Sequence, residues 1–441
     1  MTMTELQNPL SFILEHERLL KSFPDGTAPS WLRDLRRENL SLFMRSGFPS
    51  TKDEEWKYTN LAPMKNYVYT IAPKNEIIES AILEKYYSPE DINIVFVNGI
   101  LSEELSQREK LPPGITINPL AEALTKNESE IHSLMTKEAL QEGTPFLALN
   151  QAFARNGTYI SVNDHVVGDK LIHLIHLTSP LKDPILTLPR NIINIGASSE
   201  VTLLESHISF SDEDIYFANA LTDIFLNDNA RLTYAQLQKE SLKAFHISHT
   251  RVWQERNSSF NSFALDVGSA ISRHNLSVLL NGEGASTKLN GLYCTNGTQL
   301  IDNHTCIDHQ VANCASNQFY KGVLNGSSRA VFNGKILVRS AAQGTNSYQL
   351  NKNLLLGEDC HVDTKPQLEI HADDVKCSHG ATLGQLNEDE IFYLQTRAIP
   401  RKRAVRILSQ GFIEEILNTI QQSNLRGKCD KLLEPTFEAL G

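Results

Sequence analysis

The chain has 441 residues, 41% of them hydrophobic and 21% charged, with a formal net charge of -11 and a sequence pI near 5.7. This composition belongs to a globular protein long enough for two or three domains, and it excludes a disordered or low-complexity chain. The acidic balance argues against a polyanion-binding surface, because the densest basic run, Arg401-Lys402-Arg403 with Arg406, is too short to set up a strong positive field. Nucleic acid is therefore not an expected partner.

The N-terminal segment MTMTELQNPLSFILEHERLL has no basic run followed by an unbroken apolar stretch. No window of about 18 apolar residues occurs anywhere, so neither a secretion signal nor a membrane span is expected, and the expected location is the cytoplasm. Leu10, Ile13, Leu14 and then Trp31, Leu35, Leu42 and Phe43 are spaced to share one face, which predicts a helical N-terminal region. Residues 92–97, INIVFV, read as a strand ending at Asn98-Gly99. Residues 102–109 and 120–142 carry helix-like spacing, separated by Pro112-Pro113-Gly114.

From about residue 158 to 369 the pattern changes to short β-prone runs, among them 171–178 (LIHLIHLT), 201–204, 221–226 and 330–339. Between them lie Asn281-Gly282, Asn290-Gly291, Asn296-Gly297, Asn325-Gly326 and Asn333-Gly334, a dipeptide that favours hairpins. A sandwich, a propeller and a stacked β-solenoid all accommodate this many short strands. The missing blade-length motif weakens the propeller, and local pattern leaves the other two open.

After Asn387 the helical pattern returns. Residues 388–397 precede Pro400, and Ala404, Ile407, Leu408, Gly411, Phe412, Ile416 and Ile420 recur at three and four residues as an amphipathic stripe. Such a stripe suits packing on the chain's own body or docking in a partner's groove. The chain divides into a mostly helical region, 1–157, a β core, 158–386, and a helical tail, 387–441.

Two ordered motifs carry a family resemblance. Residues 47–59, GFPSTKDEEWKYT, are similar to the pattern that opens SufD proteins, and residues 367–393, QLEIHADDVKCSHGATLGQLNEDEIFY, resemble the signature near their end. With 146–153, FLALNQAF, between them, the likeness spans most of the chain. The related SufB chains tend to read Glu-His-Glu-Ala where Ser378-His379-Gly380-Ala381 stands here, so the resemblance is to SufD within the SufB/SufD family. It implies a mainly β fold, a right-handed parallel β-helix flanked by helical N- and C-terminal regions. It also implies a scaffold that pairs with SufB through the β-helix and docks the ATPase SufC through C-terminal helices, here Ile407, Leu408, Phe412 and Ile416. The cargo is transient iron or a nascent iron–sulfur cluster. A homodimer of the isolated chain is a further expectation, from exposed β-helix strands.

Cys377 and His379 are the expected contributors to that chemistry. Residues two apart in a strand face the same side, roughly 7 Å apart, and a thiolate with an imidazole suits iron, zinc or a cluster. Two ligands do not complete a site, so the chain alone should hold no stable cluster and would share one with a partner subunit. His371 and Asp373 have the same parity, but Asp373-Asp374 reads as a corner that breaks the register. His304, Cys306 and His309 match no ligand spacing and read as structural.

No G-x-x-x-x-G-K-[ST], G-x-S-x-G or H-E-x-x-H occurs, so ATP hydrolysis is assigned to the partner and the chain reads as non-catalytic. The competing readings are a β-solenoid enzyme acting on carbohydrate, which needs paired carboxylates in an open groove, and a stand-alone metal- or flavin-binding protein. Nothing in the sequence assigns a flavin.

Overall fold

The β-prone runs wind into a parallel β-solenoid of about eight coils, each coil giving one strand to each of two facing sheets. This is a computed structural model, and it describes residues 29–71, 83, 86–137, 144–179 and 183–439. The first sheet runs from Arg190–Ile195 through Tyr216–Leu226, Phe245–Gln254, Ile271–Leu280, Leu300–His309 and Arg329–Val338 to His361–Ile370. The second runs from Val167–Thr178 through Glu200–Ser209, Arg231–Lys239, Ser259–Asp266, Ser286–Thr295, Ala315–Leu324 and Thr345–Leu355 to Val375–Gly384. At the N-terminal end, Ile92–Val97 extends the second sheet in parallel, and Ile115–Pro119 pairs antiparallel with Gly157–Val162. Of the architectures left open, the solenoid is the one formed.

Parallel stacking places like residues above one another. Ile193, Ile224, Val252, Val278, Ile307 and Ile336 form one continuous inward ladder, all of them fully buried. β-Branched side chains suit such a pleated, two-sided environment. Asn98-Gly99 (φ 51° and 82°) makes a hairpin between Ile92–Val97 and the antiparallel Ile100–Leu101, but the Asn-Gly pairs of the β core do not. Asn281-Gly282, Asn296-Gly297 and Asn325-Gly326 sit at corners, whereas Asn290-Gly291 and Asn333-Gly334 lie inside strands. The type I′ hairpin that Asn-Gly favours needs two consecutive left-handed residues. The corners instead bend at single ones, such as Asn229 (φ 59°), Asn257 (φ 54°) and Asn313 (φ 59°), and successive corners bond through asparagine amides, Asn227 Nδ2 to Asn194 Oδ1 at 3.1 Å.

The segment 102–109 is not a helix. Its groups satisfy the strand Ile92–Val97 instead: Ser102 N–H donates to the Val95 carbonyl at 2.8 Å, Val95 N–H to Ser106 Oγ at 2.9 Å, and Gln107 N–H to the Asn93 carbonyl at 2.8 Å. Side chains that bond the backbone locally compete with helix. Helix α1 (Ser30–Ser46) contains Trp31, Leu35, Leu42 and Phe43, while Leu10, Ile13 and Leu14 fall outside the described residues. The spacing in 120–142 resolves into α2 (Leu120–Lys126) and α3 (Glu128–Met135), broken at Asn127, while 138–142 fall outside the described residues.

The 146–153 motif forms α4 (Pro145–Ala152), buried against the outer face of the first sheet, where Asn150 Nδ2 donates to the Asn219 carbonyl at 2.7 Å and Asn219 Nδ2 to the Phe146 carbonyl at 2.8 Å. The EEWKYT arm clasps the same sheet further along. The Arg273 guanidinium stacks 3.9 Å from the Trp56 ring centre, its Nη1 donates to the Glu55 carbonyl at 2.6 Å, and Thr59 Oγ1 donates to Asp302 Oδ2 at 2.5 Å. The tail forms α5 (Glu388–Thr396), α6 (Arg401–Leu417) and α7 (Ser423–Ala439). Asn387 caps α5 by accepting from Asp389 N–H at 2.8 Å. Helices α6 and α7 cover the outer face of the second sheet, Ile413, Ile416, Leu425 and Leu433 against Leu237, Phe263 and Leu292. Among the described residues no helix is long and apolar enough to cross a membrane.

Candidate functional site: the terminal coil

His361–Ile370 and Val375–Gly384 end their sheets, so each has a neighbour on one side and an unpaired edge on the other among the described residues. A row of free N–H and C=O groups is a template for another chain. Residues 371–374 form the corner between these strands, held by Gly344 N–H to the Asp374 carbonyl at 2.7 Å and Asp374 N–H to Gln343 Oε1 at 2.9 Å. His371 and Asp373 are exposed at this corner, outside the strand of Cys377 and His379, so no four-residue face forms.

Cys377 and His379 both have inward parity and each ends a polar line that runs through the last coils. Gln318, Gln349 and His379 are successive register partners; Gln318 Nε2 donates across the interior to Thr305 Oγ1 at 2.5 Å, and Gln349 Nε2 to Gln318 Oε1 at 2.7 Å. Ser316, Ser347 and Cys377 form the other line, beginning at His309 Nε2, 2.9 Å from Ser316 Oγ, which lies 2.7 Å from Ser347 Oγ. In earlier coils the first line is mixed, with Leu289, Ser262, Tyr234 and Leu203 at equivalent positions. At the open end of these lines His379 is exposed and Cys377 is half-buried against Ile336 and Val338. Burial pushes the Cys377 thiol above its ordinary value, against a backbone hydrogen bond at Ser347 that favours the thiolate. A metal must therefore displace the thiol proton to bind there.

The middle residues are structural. His304 lies on the outer face, with Nε2 2.9 Å from Asp302 Oδ1 and Nδ1 3.1 Å from Arg273 Nη2, as part of the clasp beneath Trp56. Cys306 is buried on that same face and pushed to about 12 by burial, and His309 points inward. These three do not share a face.

Of the four positions on α6 expected to dock a partner, Ile416 is buried against the second sheet, Phe412 and Leu408 are half-buried, and Ile407 is exposed. The stripe mainly serves the chain's own packing. The free apolar surface lies beside it, on Phe392 (66% exposed), Tyr393 (58%) and Leu383 (53%), with Arg397 stacked 5.2 Å from the Tyr393 ring. The signal for these residues was present in the run IFYL of α5: once Ile391 faces the body, Phe392 and Tyr393 cannot.

Residues 179–412 match the family described as SUF system FeS cluster assembly, SufBD core domain, and residues 15–174 match the SufBD protein N-terminal region. An iron–sulfur cluster assembly SufBD family protein of Synechocystis is 32% identical over 96% of this chain and 94% of its own length. The iron–sulfur cluster assembly protein SufD of Escherichia coli is 30% identical over 88% of this chain and 89% of its own. A chloroplastic protein of Arabidopsis thaliana, ABCI7, is 28% identical over 94% and 87%. The chain belongs to the SufBD family.

Proposed function

We propose that this SufBD-family chain is a SufD-like, non-catalytic scaffold of an iron–sulfur cluster assembly complex in the reducing cytoplasm. Its last coil pairs edge to edge with SufB, and its tail docks the ATPase SufC. The observation that carries the reading is the placement of Cys377 and His379 on the inward side of an edge strand: a partner's coil added to that edge buries both residues and brings its own ligands beside them. Two strands of ten residues each supply the backbone template. Two side chains cannot complete the coordination of a cluster, which fits a cargo assembled between subunits. The relatives bearing SufD and SufBD names support the assembly role, and six free cysteines, four of them buried, suit a reducing location.

The tail docks SufC through the exposed Phe392, Tyr393 and Ile407, with Leu408 at the rim, while Phe412 and Ile416 hold α6 in place. The test of the scaffold reading is reconstitution of the complex with its own SufB and SufC. His379→Ala should leave the complex assembled and abolish cluster formation, read as iron and sulfide bound per complex. Full cluster formation by that variant overturns the role of His379.

A further inference from the structure

At the opposite end of the solenoid, the first coils enclose a group of side chains that the terminal coil does not use. His176 Nε2 lies 3.3 Å and His207 Nε2 3.1 Å from the same oxygen, Glu205 Oε1, and the three ligand atoms lie within 4.8 Å of one another, all buried. His176 and His207 are register partners on adjacent strands with rings stacked at 4.8 Å, and Phe96 closes the stack 4.7 Å beyond His176. Glu205 and His207 are two apart on one strand, so both point inward.

We propose that His176, Glu205 and His207 form a binding site for a single divalent first-row transition ion, Zn²⁺ or Fe²⁺, inside the first coils. Tetrahedral coordination at 2.0–2.1 Å, the usual range for zinc with nitrogen or oxygen, separates ligand atoms by roughly 3.3–3.4 Å, close to both observed spacings to Glu205 Oε1. Two imidazoles with one carboxylate suit Zn²⁺ or Fe²⁺ and not Mg²⁺ or Ca²⁺, which require oxygen ligands. Three protein ligands leave one position open.

The surrounding groups fit a ligating carboxylate. Asn191 Nδ2 donates to Glu205 Oε1 at 3.1 Å. The second carboxylate oxygen is already held by Tyr234 Oη at 2.6 Å and Thr222 Oγ1 at 3.0 Å, which is the outer support a ligating carboxylate has.

Charge points the same way. Among the described residues, none of the bonds to Glu205 comes from arginine or lysine. The adjacent Glu240 has its own partner, His246 Nδ1 at 2.7 Å. A fully buried carboxylate without a fixed cation is costly, and a divalent ion removes that cost. The site is six strands from Val375–Gly384, about 29 Å at 4.7–4.9 Å per strand, and so is separate from Cys377 and His379.

The experiment uses the full chain, stripped with chelator and titrated anaerobically with Co²⁺ as a spectroscopic probe. One Co²⁺ per chain is expected, with tetrahedral d–d intensity and no thiolate-to-cobalt charge transfer, displaced by equimolar Zn²⁺, by Fe²⁺ only in excess, and not by excess Mg²⁺. The Cys377→Ser/His379→Ala double variant should bind identically. Glu205→Gln, which keeps the acceptor for Tyr234 and Thr222, should weaken binding at least about tenfold. If Glu205→Gln does not fold, the wild-type spectrum and a Zn²⁺-dependent rise in Tm, absent with Mg²⁺, stand in its place. No stoichiometric Co²⁺, a thiolate band, loss of binding in the double variant, or unchanged affinity in folded Glu205→Gln each overturns the assignment.

Discussion

Lys321 and Glu415 form an ion pair between the outer face of the second sheet and α6, with the lysine side chain fully covered and the glutamate half-exposed. Lys321 Nζ also donates to the Phe412 carbonyl at 2.5 Å and sits 3.9 Å from the centre of the Phe412 ring. Burial draws Lys321 below the ordinary lysine value, and Glu415 opposes that shift. Lys321→Met keeps the stem and removes the cation, leaving a helix carbonyl without its donor. The expected loss is about 1–3 kcal/mol, concentrated in α6, so hydrogen exchange should accelerate in residues 401–417 more than in the solenoid strands.

Gly322 sits on the inward side of the strand beside Lys321, in register with Tyr293 one coil earlier, and a Cβ there would lie 2.1 Å from the Tyr293 ring. That ring is anchored, since Tyr293 Oη accepts from Asn351 Nδ2 at 3.1 Å and donates to Asn353 Oδ1 at 2.5 Å. It cannot swing away without breaking both bonds. Gly322→Ala should cost about 1–3 kcal/mol by overpacking, seen as a lower urea midpoint with an unchanged slope. A neutral substitution would mean the coil is looser than the bonded ring implies.

The same ladders explain what the sequence disclosed and what it hid. Strands, turns and the tail helices follow from local pattern: INIVFV ends at Asn98-Gly99, and Pro400 separates α5 from α6. The solenoid itself was reached only through the resemblance. Successive rungs from Ile193 to Ile336 are 26 to 31 residues apart, so no fixed period appears, and the rungs conserve shape more than identity. Asn-Gly misleads because Gly291 and Gly334 make room for Tyr320 and Gln349, not for a turn. That Cys377 and His379 share a face was legible from spacing, whereas its inward direction needed the coil register. The histidine cluster was not, because His176 and Glu205 meet only through coil stacking.

Acid sensitivity follows from the buried titratable groups. Burial lowers His249 and His274 to about 3 and His207 and His309 to about 4. Each leaves the folded chain with fewer protons than the unfolded one below about pH 6.5, so stability falls as pH drops toward those values, by about 1.4 kcal/mol per pH unit for each proton. Glu240 adds to this below pH 4.5: burial opposes its ionisation, but His246 holds it at about 2. Asp266, raised by burial to about 6, runs the other way between 6 and 3.8 and offsets one histidine. The expected profile is a urea midpoint that falls steeply from pH 6.5 to 4, and His274→Asn should flatten it by about one proton. A flat profile would mean these histidines charge freely in the folded state.

The docking assignment has a sharper test than truncation. Cutting after Arg397 would remove Ile413, Ile416 and Leu417, which cover Leu237, Phe263 and Leu292, so lost binding would be indistinguishable from lost folding. Phe392 and Tyr393 are exposed on α5 and cover nothing in the core. Phe392→Asp with Tyr393→Asp should leave the urea midpoint within about 0.5 kcal/mol of the parent, as exposed substitutions do, while abolishing capture of SufC and sparing co-purification with SufB. Ile416→Asp is the contrasting variant, expected to loosen α6 before any partner is present, because it sets a charge against the second sheet. If the double aspartate variant captures SufC as well as the parent, the docking surface lies elsewhere than α5, and the unpaired terminal edge has to serve both partners.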